Sequence, residues 1–219
     1  MKRCLMTICL VVLAVSATLA QHQQKKTVPS SKPADDGPSL EVTMKFIQDK
    51  LNGIGPVSYV AKVRDVYTYN DGIGTDTTLS GTEQSKYEVT KVVADPSTCR
   101  ISFHWKNKAE RDGAATESAD FPKHEDQEDD DGFPLKLVEH VVVMPLKQSL
   151  EEGFKNNMPV NHPSRSYKVD PPVFALSLEL RDFAPNDFLF LDEQLANRVA
   201  KAMVHAVELC GGGSEPEPF

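Results

Sequence analysis

Basic charge, long apolar runs and cysteine are all scarce in this chain of 219 residues, and each shortage removes a class of protein. Lys and Arg number 24 against 32 Asp and Glu, a formal charge of −8, so the summed field repels nucleic acid and anionic lipid surfaces. The longest apolar stretch, Leu5 to Leu19, falls short of the roughly 20 residues that a membrane-spanning helix needs. No HExxH, Cys-x-x-Cys or Gly-x-Ser-x-Gly pattern occurs, and no internal repeat is visible. What is there, 40% apolar and 26% charged residues, is the balance of a globular domain.

The start, Met1-Lys2-Arg3, then the apolar run, then Ala20-Gln21, has the form of a secretory signal peptide over residues 1–20. Cleavage near Ala20 places the mature chain outside the cytoplasm, in a periplasm or beyond, with no stable membrane insertion. Neither Cys4 nor Cys9 stands where lipid attachment would require it, and both leave with the leader. Cys99 and Cys210 remain, 111 positions apart, and in an oxidising compartment such a pair persists as a disulfide. Two buried free thiols are the alternative.

Residues 21–38 are polar and rich in Ser, Pro and Lys, so they read as a flexible tether. Residues 39–213 read as one α+β domain, and 214–219 as a disordered tail. Ser39 caps a helix whose Leu40, Met44, Ile47 and Leu51 share one face, ended by Asn52-Gly53. The period then falls to two. Val57, Tyr59, Ala61 and Val63 form one side of a strand, and Tyr87, Val89 and Val93 one side of a second, with turns expected at Asn70-Asp71-Gly72, Ser80-Gly81 and Asp95-Pro96. A third strand sets Cys99, Ile101, Phe103 and Trp105 against Arg100, Ser102, His104 and Lys106.

Residues 107–134 are polar, with six acids between Glu125 and Asp131, and read as a mobile surface loop. Leu135 to Met144 is apolar on both faces, which predicts a central strand covered on both sides. A second polar connection spans 147–172. Two further strands follow, at Phe174–Leu180 and Phe188–Leu191. Asp192 then caps a long helix with Leu195, Val199, Met203, Ala206 and Cys210 on one stripe, ended by Gly211-Gly212-Gly213. Two independent periodicities thus aim Cys99 and Cys210 inward, a necessary condition for bonding and not a sufficient one. The expected architecture is α+β: a curved antiparallel sheet of about six strands closed by a long C-terminal helix, with an additional N-terminal helix.

Three segments, Ser39–Leu51, Val93–Trp105 and Phe188–Gly212, resemble a family of uncharacterised secreted bacterial proteins. That resemblance implies export and carries no activity. The layout, a strand meander closed by a C-terminal helix, is also similar to pleckstrin-homology-like domains, which implies a role in binding. The chain departs from them in its N-terminal helix, its long polar connections and the lack of a basic cluster between the first two strands.

The histidines His104, His124, His140, His162 and His205 are the candidate reactive groups. His104 is expected on a polar strand face, and His140 in a buried strand. No spacing among them fits a metal site, and no catalytic, cofactor or metal residue is assigned. Placing Gly132 at the glycine of an EF-hand loop puts Gln127 first and Val138 twelfth, where carboxylates are required, so the acidic run reads as a solvated loop. Two functions follow: a non-catalytic exported domain binding a protein, peptide or small ligand through a loop or strand edge, or an envelope hydrolase with His104 or His140 as general base.

Overall fold

The structure, a computed structural model, describes residues 37–67, 76–116, 122–157 and 163–213. The expected signal peptide, nearly all of the expected tether, the turn expected at Asn70-Asp71-Gly72, His162 and the expected tail after Gly213 lie outside the described residues. The chain divides after Asp36, and the second unit, Gly37–Phe219, is the α+β domain described below.

Its elements run α1 (Leu40–Asn52), β1 (Val57–Tyr67), β2 (Thr77–Asp95), β3 (Arg100–Asp112), β4 (His124–Pro134), a 3-10 turn (Leu135–Leu137), β5 (Val138–Pro145), α2 (Leu146–Asn157), β6 (Ser164–Asp170), β7 (Phe174–Leu180), β8 (Asn186–Phe190) and α3 (Glu193–Leu209). Among the described residues eight strands stand where about six were expected. They form two antiparallel sheets, of order β4-β3-β2-β1-β6 and β5-β7-β8.

Both predicted helices form as their caps and stripes dictate. Ser39 Oγ accepts from the Val42 N–H, and Asp192 accepts from the N–H groups of Gln194 and Leu195, which satisfies donors that a helix start otherwise leaves unpaired. Met44, Ile47 and Leu51 of α1 and Val199, Met203 and Ala206 of α3 are buried together with Ile101, Phe103, Phe133, Leu176, Leu178 and Phe188 in one core. Phe103 meets Phe188 edge to face at 5.0 Å between centroids. Cys99 and Cys210 are bonded, their Cα atoms 5.8 Å apart, which bolts the head of β3 to the end of α3. Cys99 sits at φ 51 in the turn before β3 rather than within the strand. A smaller cluster, Val57, Leu146, Val173, Ala175 and Leu189, lies on the other face of β7.

Four sequence expectations are overturned. The supposed loop 107–134 is largely strand: β3 runs on to Asp112, and the acidic run is β4, the outer strand of the five-stranded sheet. Aspartate is a poor strand former, but β3 sets Lys106 directly opposite Glu128 and Lys108 directly opposite Asp126, and Arg111 reaches Glu125 diagonally. Carboxylates along an outer strand also deter pairing with other chains. The polar connection 147–172 holds α2, with Leu146, Leu150 and Phe154 on one stripe, and β6. Ser80-Gly81 lies inside β2, where a Cβ on Gly81 would meet Thr116 Oγ1 at 2.6 Å. Finally, β5 is an outer strand, and the central covered strand of its sheet is β7.

Two bulges explain which faces were misread. At Thr90/Val93 the register shifts, so Val92 is buried and Val93 is 55% exposed. Asn52 holds the bulge from α1, accepting from the Val92 N–H and donating to the Val92 carbonyl, both at 2.9 Å. A second shift at Val138/His140 turns His140 outward, opposite Glu179, and it is exposed.

Candidate functional site

The five-stranded sheet has one covered and one open face. Odd-numbered residues of β1 (Val57, Ala61, Val63, Asp65) are buried, while Ser58, Lys62 and Arg64 are exposed. The period of two carries this division across the sheet through the register of β2, β3, β4 and β6.

The covered face changes character away from the aromatic core. Asp65, 1% exposed, receives two hydrogen bonds of 2.6 Å from Arg165, which also donates to the Ala115 carbonyl at 2.8 Å and lies 4.0 Å over the Phe154 ring of α2. Beside it, Arg111 reaches Glu83 at 2.6 Å and Glu125 at 2.5 Å. Burial by itself would lower the pKa of each guanidinium. The carboxylates of Asp65 on one side, and of Glu125 and Glu83 on the other, outweigh it, and both pKa values are raised. The neighbouring Tyr59 and Tyr167 hydroxyls are pushed up chiefly by burial. With every charge paired, this network can hold strands in register; it offers no free base or nucleophile.

The histidines are dispersed. His104, expected at the surface, is 8% exposed because Glu128 and Asp130 of β4 clamp its ring, Nε2 to Oε1 at 2.9 Å and Nδ1 to Oδ1 at 2.8 Å. Both ring nitrogens therefore face carboxylates rather than a hydroxyl or thiol. His124 is exposed at the start of β4, and His205 Nε2 bonds the Pro38 carbonyl at 2.9 Å. Among the described residues no group of three or more His, Cys, Asp or Glu converges as a metal site, and no helix is long and apolar enough to cross a membrane.

A groove between β5 and α3 was missed in the sequence. Val141 and Val143 of β5, both half-buried, face Ala200 and Val204 of α3 across a groove of about 340 Å³ that Asn197 and Lys201 complete. Among the described residues β5 pairs only with β7, and its outer side carries a single backbone bond, from the Gly213 N–H to the Val138 carbonyl at 2.8 Å. Beyond Val138 the backbone groups of an outer strand run beside an apolar trough. The available signal was the run Val141-Val142-Val143, one residue of which faces away from α3 while two rim the groove.

No family model matches the chain, and no curated protein or solved structure matches it.

Proposed function

We propose that this protein is an exported, non-catalytic binding module that captures an extended peptide by adding it to the outer edge of β5. The observation that carries this reading is the coincidence of an open strand edge with the groove between Val141, Val143, Ala200 and Val204. Main-chain bonds to β5 supply affinity for any extended segment, and the trough selects aliphatic side chains at alternate positions. Lys201 at the rim favours a peptide with an acidic residue beside them. The bonded cysteines and the signal-like start support a compartment outside the cytoplasm, and the resemblance in layout to pleckstrin-homology-like domains supports binding. The hydrolase alternative has no geometric support, since both nitrogens of His104 are engaged by carboxylates and His140 faces outward.

The test is to pan a library of displayed linear peptides against the protein and measure the enriched sequences on Val204→Arg. Val204 is 40% exposed, so the substitution leaves the core intact. Alternating aliphatic peptides that bind the wild type and lose at least tenfold on the variant are expected. Equal binding to both overturns the reading, as does a concentration-dependent dimer that occupies the same groove.

A further inference from the structure

The open face of the five-stranded sheet carries cations that the fold leaves unneutralised. Lys62 of β1 stands directly opposite Lys168 of β6, and Arg64, two residues on, stands between Ser80 and Ser166. Like charges opposed across a strand pair destabilise it. The chain has acids in excess, yet among the described residues none of these three cations makes an ion pair. The carboxylates that β4 presents on this face are committed elsewhere, Asp126 to Lys108, Glu128 to Lys106 and His104, and Asp130 to His104. The three cations border a concavity of about 630 Å³ whose wall also holds Ser80, Thr82, Ser166 and Asp112.

We propose that this concavity binds a small hydroxylated phosphomonoester, a sugar phosphate. Three cations set against Asp112 leave two positive charges, which matches a phosphate monoester carrying about −1.5 to −2 near neutral pH. The Arg64 fork suits two phosphate oxygens, and Lys62 and Lys168 act as point charges. The volume exceeds what a bare phosphate fills, and the hydroxyls of Ser80, Thr82 and Ser166 complement a body with hydroxyls of its own. The charge layout selects a small ligand over a long polyanion. The carboxylates of β4 stand three strand spacings from β1, about 14 Å, so a small ligand lies beyond the ~8 Å screening length at physiological salt, whereas a polymer would run across them. This face is separate from the β5 groove, so each reading can fail alone.

Titration calorimetry of the whole protein with glucose 6-phosphate, in phosphate-free buffer of low salt, tests the proposal, with inorganic phosphate and glucose as separate arms. Saturable heat with glucose 6-phosphate is expected, with at least threefold weaker binding of inorganic phosphate, none of glucose, and loss of affinity as salt is raised. Lys168→Glu places a carboxylate opposite Lys62, so its melting temperature is held or raised while affinity falls at least tenfold. Absence of heat at millimolar glucose 6-phosphate overturns the site, and so does unchanged affinity in Lys168→Glu. Inorganic phosphate binding as tightly as the ester overturns the sugar-phosphate assignment.

Discussion

The two ends of the covered face of the five-stranded sheet are held by different physics. Under α1 and α3, Ile101, Phe103 and Phe133 pack against Phe188 and Met203 through apolar contact, and the Cys99–Cys210 bond closes that end. At the other end Asp65, Arg165, Arg111, Glu83 and Glu125 are paired in a largely buried network. Apolar contact is non-directional, so the first end contributes stability in proportion to the area it buries. Each buried charge at the second end depends on the particular partners set beside it, so that end contributes little net energy while penalising any other arrangement. A slip of β6 along β1 would strand Arg165 away from Asp65, its partner in both register and hydrogen bond.

Phe188→Ala should show the largest effect, a loss of about 4 kcal/mol, because a fully buried ring is deleted where Phe103 and both helices close over it. Urea unfolding followed by circular dichroism measures it. A loss below about 1 kcal/mol would mean that the site collapses freely, and the contrast between the ends would disappear.

Asp65→Ala should cost about 3 kcal/mol, because Arg165 stays behind with its charge and without its carboxylate, facing the Ala115 carbonyl and the Phe154 and Tyr167 rings. Here the paired variant sharpens the comparison. Asp65→Leu with Arg165→Met removes both charges and should be less damaging than Asp65→Ala alone, by about 1 kcal/mol or more. If the double variant is the less stable of the two, the ion pair itself stabilises, and this end behaves like the other.

How far the sequence foretold these regions follows the same division. The apolar end was legible because period and burial coincide there: Met44, Ile47 and Leu51 on α1 and Val199, Met203 and Ala206 on α3 were read from spacing, and the cysteines are bonded although Cys99 stands in the turn before β3 rather than on the strand face expected of it. The ionic end was not, because its strands are stabilised across the sheet rather than along the chain. Glu125 to Asp131 looks like a solvated loop until Lys106 and Lys108 are set opposite it and Arg111 reaches Glu125, and the alternating Lys106 and Lys108 on the preceding strand were the only local hint. The β5 groove depends on which strand lies outermost, and no periodicity encodes that. Val93 and His140 were assigned to the wrong faces by bulges, one of which is held by Asn52, forty positions away.

Asp187 repeats the contrast on the scale of one side chain. It lies on β8 beside Ser177, its Oδ1 lacks a hydrogen-bond partner, and its carbonyl accepts from the Tyr87 hydroxyl at 2.8 Å. Burial pushes its pKa above the ordinary carboxylate value, and the Ser177 hydroxyl opposes the shift only partly. The folded state therefore holds this proton more tightly than the unfolded chain. The stability tied to it is complete below the unfolded value near pH 3.9 and is lost as pH rises through the higher folded value. Asp187→Asn removes the charge and keeps the shape, so at pH 7 it should be more stable than the wild type by about 1 kcal/mol. Near pH 3 the wild type is protonated as well, and the advantage should vanish. Urea midpoints at the two pH values decide it: an equal gain at both would trace the effect to packing rather than to an ionised acid whose charge Ser177 offsets only in part.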